Sequence, residues 1–169
     1  IYWDTGTMLA QTLALAGSVG LDARLYTRFP DGDVTRLVGA DGIHEFPVAL
    51  VTLGRGAPSL EATAPAADGD VDIAPLGFPL VTAAQRAGDS HALGEPWPWG
   101  TAVAVDDDAS APVETVVLAR GSQRRMDPTR GLSEGLMSTS MAVALRGVDL
   151  PHFVVVHSVE GLEPGVYRW

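Results

Sequence analysis

Apolar residues recur at helical spacing near the start of the chain. Within residues 4–19, Leu9, Leu13 and Ala16 fall on one side of a predicted helix that Asp4 or Thr5 caps. Small residues form a neighbouring stripe, made of Gly6, Ala10, Ala14 and Gly17. Because small residues let a second backbone approach closely, the pattern predicts a helix that is buried on more than one side.

The next 35 or so residues predict a turn, a short helix and a strand. The turn-rich residues 29–33 precede a short helix that ends at Gly39 or Gly42. Residues 46–54 then form a continuous apolar run of strand length that is rich in β-branched residues. Such a run is typical of a fully buried central strand.

Residues 115–169 predict a second ordered block. An amphipathic helix is predicted over residues 128–145 and a strand over residues 153–159, followed by a Gly-Pro-Gly turn in EGLEPGVYRW. Residues 114–119 are ambiguous, since their β-branched residues favour a strand whereas Pro112 could open a helix.

Charge divides the chain unevenly. The formal net charge is −10, and all the positive charges are arginine. Residues 57–119 hold one arginine against ten acidic residues, whereas residues 120–169 hold six against five. With its prolines, this acidity predicts a partly extended connector over residues 57–114, in which Trp97 and Trp99 dock against other parts of the chain.

Composition excludes several classes of function. The acidic balance argues against a nucleic-acid partner, and the absence of cysteine excludes disulfides and thiolate chemistry. No apolar run approaches the roughly 18 residues of a membrane span, and no basic signal-peptide head opens the chain, so we expect a cytoplasmic protein without a membrane partner. His152 and His157 point to opposite faces of the predicted strand, and no metal site is expected.

Three residues after the ambiguous segment suit an anion. In an extended segment Arg120, Ser122 and Arg124 point to one side, which presents two guanidinium groups and a hydroxyl together. That set fits a phosphate dianion. The alternative is a solvated surface cluster that pairs with Asp127 and Glu134.

The order of these motifs resembles a known family. RGSQRR, followed by a helix, a strand and EGLEPGVYRW, is similar to the opening half of a nitroreductase-fold flavoprotein, closest to the SagB-type dehydrogenases that oxidise azoline rings in ribosomal peptides. The resemblance implies an α+β, three-layer nitroreductase-like fold and flavin mononucleotide (FMN) as cofactor. It also implies that Arg120, Ser122 and Arg124 hold the FMN phosphate and ribityl chain.

Residues 1–56 resemble the closing half of the same fold. A closing half before an opening half, in a chain that starts at Ile1, is expected for a window from a longer chain with two tandem repeats. A circularly permuted single domain is the alternative. The domains expected are therefore residues 1–56, the connector 57–114, and residues 115–169.

The resemblance implies further contacts and also shows departures. Thr27 and Arg28 stand where backbone amides approach the flavin ring, and Arg55 stands where basic residues reach a phosphate, although a plain surface arginine is an equal reading. The family's catalytic lysine–tyrosine pair has no counterpart, since the chain contains no lysine. The family's Pro-Ser-Gly flavin loop is not recognisable either, and the catalytic residues stay unassigned.

The resemblance implies an FMN-dependent oxidoreductase that converts azolines to azoles during peptide maturation. A general nitro or quinone reductase, or a non-catalytic repeat that completes a pseudo-dimer, are the alternatives. We expect a small-molecule or peptide substrate, and either a homodimer or an intramolecular pseudo-dimer.

Overall fold

The computed structural model describes residues 1–56, 74–104, 111–122, 124–127, 129–146 and 148–169. The chain divides into two compact units, Ile1–Trp97 and Pro98–Trp169, and each is described by itself. Five helices and two two-stranded sheets make up the described residues. The predicted α+β class is confirmed.

The first unit contains three helices and one antiparallel strand pair. In chain order its elements are α1 (Tyr2–Ser18), β1 (Ala23–Tyr26), α2 (Asp31–Val38), β2 (Leu50–Leu53) and α3 (Pro79–Arg86). The predicted first helix is confirmed, but the predicted cap at Asp4 or Thr5 is wrong, since Ile1 is the N-cap and no side chain caps the helix. The helix ends where the N–H of Leu21 donates to the carbonyl oxygen of Ala16 at 2.8 Å. The short helix is also confirmed, since Gly39 closes α2 in the left-handed region with φ 73°.

The predicted central strand is wrong. β2 pairs antiparallel with β1, from Ala23 opposite Leu53 to Tyr26 opposite Leu50, and with no other strand among the described residues. None of the four residues of β2 is buried, and Leu53 is exposed. An apolar run predicts a strand but not how many strands pair with it, and here the run forms one member of a two-stranded antiparallel sheet.

The predicted burial of α1 on more than one side is wrong for the residues that the structure describes. Ala16 alone is buried in this helix. A Cβ placed on Gly6 or Gly17 would meet nothing within 4 Å. The small-residue stripe therefore faces open space in this structure.

The core of the first unit is small and lies around the end of β1. Tyr26, Phe29 and Val34 are buried together with Ala16. These residues belong to α1, β1, α2 and the short connection between the last two, so the core joins consecutive elements.

Residues 74–97, which the sequence assigns to the connector, belong to the first unit and contact residues 1–56. The amide of Gln85 on α3 donates to the carbonyl oxygen of Pro47 at 3.3 Å and accepts from the hydroxyl of Tyr2 at 2.6 Å. The N–H of Trp97 donates to the carbonyl oxygen of Leu25 at 2.6 Å. The backbone of Trp97 is thus held against β1, but the predicted docking of the two indole side chains is wrong, since Trp97 and Trp99 are both exposed.

The second unit is built from two helices and a hairpin: α4 (Val113–Ala119), α5 (Glu134–Leu145), β3 (Phe153–Val156) and β4 (Gly165–Arg168). The ambiguous segment is a helix, and Pro112 stands at its N-cap. The second predicted helix is present but begins at residue 134 instead of 128. There Ser133 caps it by accepting a hydrogen bond from the N–H of Leu136 at 3.2 Å.

β3 and β4 pair antiparallel, with Val155 opposite Val166. Val156 is the one residue of this unit that is buried among those described. Phe153, Val155 and Val166 share the other face of the hairpin and are exposed. The predicted strand is confirmed, and one face of it lies open.

Among the described residues, no helix combines the length and apolar character needed to cross a membrane.

Candidate functional site

The arginine cluster (Arg120, Ser122 and Arg124) lies in the loop between α4 and α5. Arg120 is the C-cap of α4 and has extended backbone angles, φ −69° and ψ 142°. The other two residues follow in the irregular stretch after it. All three side chains are exposed to solvent.

The side chains of the cluster are not engaged with other described residues. No described hydrogen bond or ion pair joins the side chains of Arg120, Ser122 or Arg124 to another side chain. Asp127, which the sequence offers as a partner, instead accepts hydrogen bonds from the N–H and hydroxyl of Thr129 at 2.9 and 2.7 Å. These two bonds lower the pKa of the Asp127 carboxyl. The guanidinium groups are therefore available to an anion.

The far end of this loop is held against the segment after β3. The N–H of Leu132 donates to the carbonyl oxygen of Ser158 at 3.1 Å, and the N–H of Glu160 donates to the carbonyl oxygen of Leu132 at 2.9 Å. A Cβ on Gly131 would lie 2.8 Å from the Ser158 hydroxyl oxygen. A larger residue at position 131 would displace Ser158, and the hydrogen bonds of Leu132 tie the arginine-bearing loop to the start of EGLEPGVYRW.

Thr27 and Arg28 follow β1 in the first unit. Both are exposed, but the Arg28 guanidinium donates through Nε to the hydroxyl of Ser90 at 3.2 Å. Gly94 packs against the same side chain, since a Cβ there would lie 2.9 Å from the Cβ of Arg28. One nitrogen of the Arg28 guanidinium thus binds the segment after α3, whereas Thr27 is exposed to solvent.

Arg55 lies two residues past β2 and is exposed. Leu53 pairs with Ala23 at the start of β1, whereas Thr27 comes after its last residue. Arg55 and Thr27 therefore lie at opposite ends of this strand pair. The structure does not gather the three first-unit residues into one site.

The chemistry of the arginine cluster fits the phosphate end of FMN. Two arginines and a hydroxyl supply charged and neutral donors, and no described carboxylate neutralises them. The agreement concerns the phosphate group alone, because the three side chains are exposed hydrogen-bond donors and a phosphate is the part of FMN that accepts from such donors.

The first unit also holds a cleft that the sequence analysis did not predict. It has a volume of about 360 Å³ and lies between the start of α2, residues 42–47 and the end of α3. The residues that line it are Asp31, Gly32, Thr35, Gly42, Phe46, Pro47, Gln85, Arg86 and Asp89. Six of these residues lie between positions 31 and 47, whereas Gln85, Arg86 and Asp89 lie in the segment that the charge pattern assigned to the connector, so no local motif could have revealed the cleft.

Compared with known proteins, the chain matches no family model, no curated protein and no solved structure.

Proposed function

We propose that this chain belongs to an FMN-dependent oxidoreductase of the nitroreductase superfamily, of the kind that dehydrogenates azolines to azoles in ribosomal peptides. The observation that carries the proposal is the arginine cluster, whose two guanidinium groups and hydroxyl are exposed and unpaired among the described residues. The succession of loop, α5, β3 and β4 after it agrees with the order of motifs in the resemblance.

In this proposal the arginine cluster anchors the cofactor through its phosphate. Arginine is suited to this role because its planar group donates two parallel hydrogen bonds to phosphate oxygens. The Ser122 hydroxyl adds a third donor. The flavin, when bound, supplies the hydride chemistry, so the protein needs to bind and orient it instead of providing a nucleophile.

The test measures the binding of FMN and of riboflavin, which lacks the phosphate, through the change in flavin fluorescence. We expect the purified chain to bind FMN saturably and to bind riboflavin at least about tenfold more weakly, since hydrogen bonds to charged groups contribute about 1.5–3 kcal/mol each. An Arg120→Ala, Arg124→Ala variant should bind both flavins equally weakly.

Arg130→Ala provides the matched control, because Arg130 is an exposed arginine of the same loop outside the cluster. It should preserve the preference for FMN over riboflavin. Equal binding of the two flavins by the unmodified chain would overturn the proposal, as would a loss of FMN in the Arg130 variant as large as in the double variant.

A second candidate function is a non-catalytic repeat that packs against another repeat. The observation that favours it is the apolar face of the β3–β4 hairpin, where Phe153, Val155 and Val166 are exposed. Such a repeat would not bind flavin. A chain that folds stably but does not bind FMN would therefore favour this second function.

A further inference from the structure

The cleft of the first unit has walls that local and tertiary hydrogen bonds hold in place. The carboxylate of Asp41 accepts hydrogen bonds from the N–H groups of Ile43, His44 and Glu45 at 2.8, 2.7 and 3.0 Å, which fixes the turn beside the cleft. The hydroxyl of Thr82 on α3 donates to the carbonyl oxygen of Ile43 at 3.0 Å. Together with the bond from Gln85 to Pro47, these contacts join α3 to the turn.

Opposite charges line this cleft without pairing. Asp31, Arg86 and Asp89 all contribute to its surface, yet among the ion pairs of the described residues none joins Arg86 to either aspartate. One Nη atom of Arg86 donates to the carbonyl oxygen of Gly42 at 3.3 Å, which leaves its other donors free to bind a ligand. One carboxylate oxygen of Asp31 accepts from the N–H of Ser90 at 2.7 Å, and the other is available.

The start of α2 adds a backbone donor. The N–H groups of Asp31, Asp33 and Val34 have acceptors, in Ser90 and Pro30. Gly32 is among the residues that line the cleft, and its N–H makes no described backbone hydrogen bond. First-turn N–H groups favour anions because they lack partners within the helix.

The remaining wall is apolar and comes from Phe46 and Pro47. A volume of about 360 Å³ is within the usual range for small-molecule sites. Asp31 and Asp89 belong to no group of three potential metal ligands among the described residues. Separated charges of both signs beside an apolar wall therefore complement an organic molecule that carries both charges.

We propose that this cleft binds a free amino acid with an apolar side chain, as a zwitterion. Arg86 and the N–H of Gly32 bind its carboxylate, the carboxylates of Asp89 and Asp31 bind its ammonium group, and Phe46 and Pro47 contact its side chain. The inference is independent of flavin binding, because every residue involved lies in the first unit and none belongs to the arginine cluster.

The experiment compares three ligands by calorimetry: L-phenylalanine, its amide, which lacks the carboxylate, and N-acetyl-phenylalanine, which lacks the ammonium group. We expect saturable binding of phenylalanine and at least about tenfold weaker binding of each analogue, since each loses one charged contact. Arg86→Gln should abolish the preference over the amide, and Asp89→Asn should abolish the preference over the acetylated form.

Arg24→Gln and Asp22→Asn are matched controls, because these residues pair with each other at 3.4 Å and do not line the cleft. Both should bind phenylalanine as the unmodified chain does. Circular dichroism of each variant should show an unchanged fold, since Arg86 and Asp89 are exposed. The proposal is overturned if phenylalanine does not bind at millimolar concentrations, if the three ligands bind equally, or if the control variants lose as much affinity as the cleft variants.

Discussion

The two units of the chain differ in how many side chains they bury and in how many of their polar side chains bind other segments. The first unit contains four of the five buried apolar residues that the structure describes, and its side-chain hydrogen bonds join segments 32 to 83 residues apart. Among its described residues the second unit buries Val156 alone, and it is held together by the β3–β4 hairpin and by backbone hydrogen bonds between Leu132 and residues 158–160, while its arginine cluster is exposed. Side-chain hydrogen bonds thus join distant segments of the first unit, whereas the second unit is joined through its backbone and keeps the cationic groups of the arginine cluster exposed.

The largest expected effect comes from the small core of the first unit. Phe29 is 2% exposed, and Phe29→Ala should destabilise this unit by about 3–5 kcal/mol through lost burial and a cavity. Phe153→Ala is the matched control, because Phe153 is 66% exposed. Urea unfolding should show a large loss for the first variant and a small one for the second. Equal losses would contradict the difference between the units.

Gly94→Ala should cost about 1–3 kcal/mol, because its Cβ would lie 2.9 Å from the Cβ of Arg28. The change forces apart the segments that hold the Arg28 side chain. Gly77→Ala is the control, since a Cβ there meets nothing within 4 Å. The urea midpoints of the two variants test this, and identical midpoints would show that the approach of Gly94 to Arg28 is not tight.

The second unit should respond most to the start of α5. Ser133→Ala removes a side-chain cap and should cost about 1 kcal/mol. Ser140→Ala, at an exposed position within the same helix, should cost less, because alanine is the better helix former. Helix content measured by circular dichroism on heating distinguishes the two, and a greater loss in the Ser140 variant would be contrary to the assigned cap.

The smallest expected effect is a pH dependence in the first unit. Hydrogen bonds from the N–H groups of Glu45 and Ile43 and from the His44 ring hold the pKa of Asp41 well below its ordinary range. A depressed pKa in the folded state contributes stability that is present above about pH 4, the ordinary aspartate pKa, and is lost progressively below it. The urea midpoint of Asp41→Asn should therefore fall less between pH 5 and pH 2 than that of the unmodified chain. A parallel fall would refute the role of Asp41.

The sequence predicted the elements better than it predicted their neighbours. Helical spacing and the closing glycine of α2 were sufficient for α1 and α2, because local periodicity and capping decide those elements. The wrong central position of β2 and the exposed stripe of α1 have one cause. Pattern shows which face is apolar, and tertiary structure alone shows what covers it.

The two candidate sites differ in the same way. Arg120, Ser122 and Arg124 occur within five residues, so a spacing argument could find them. The cleft combines Asp31 with Arg86 and Asp89, which only the folded chain brings together. Because residues 57–114 are acidic and rich in proline, the sequence analysis assigned them to a connector and did not predict that α3 lines this cleft.

The most direct test of the arginine cluster is the phosphorus resonance of FMN, because it reports on the group that Arg120 and Arg124 are proposed to hold. Titration with the unmodified chain should shift and broaden this resonance, and titration with the Arg120→Ala, Arg124→Ala variant should leave it as in free FMN. An unchanged resonance with the unmodified chain, or the same change with both proteins, would contradict the proposal.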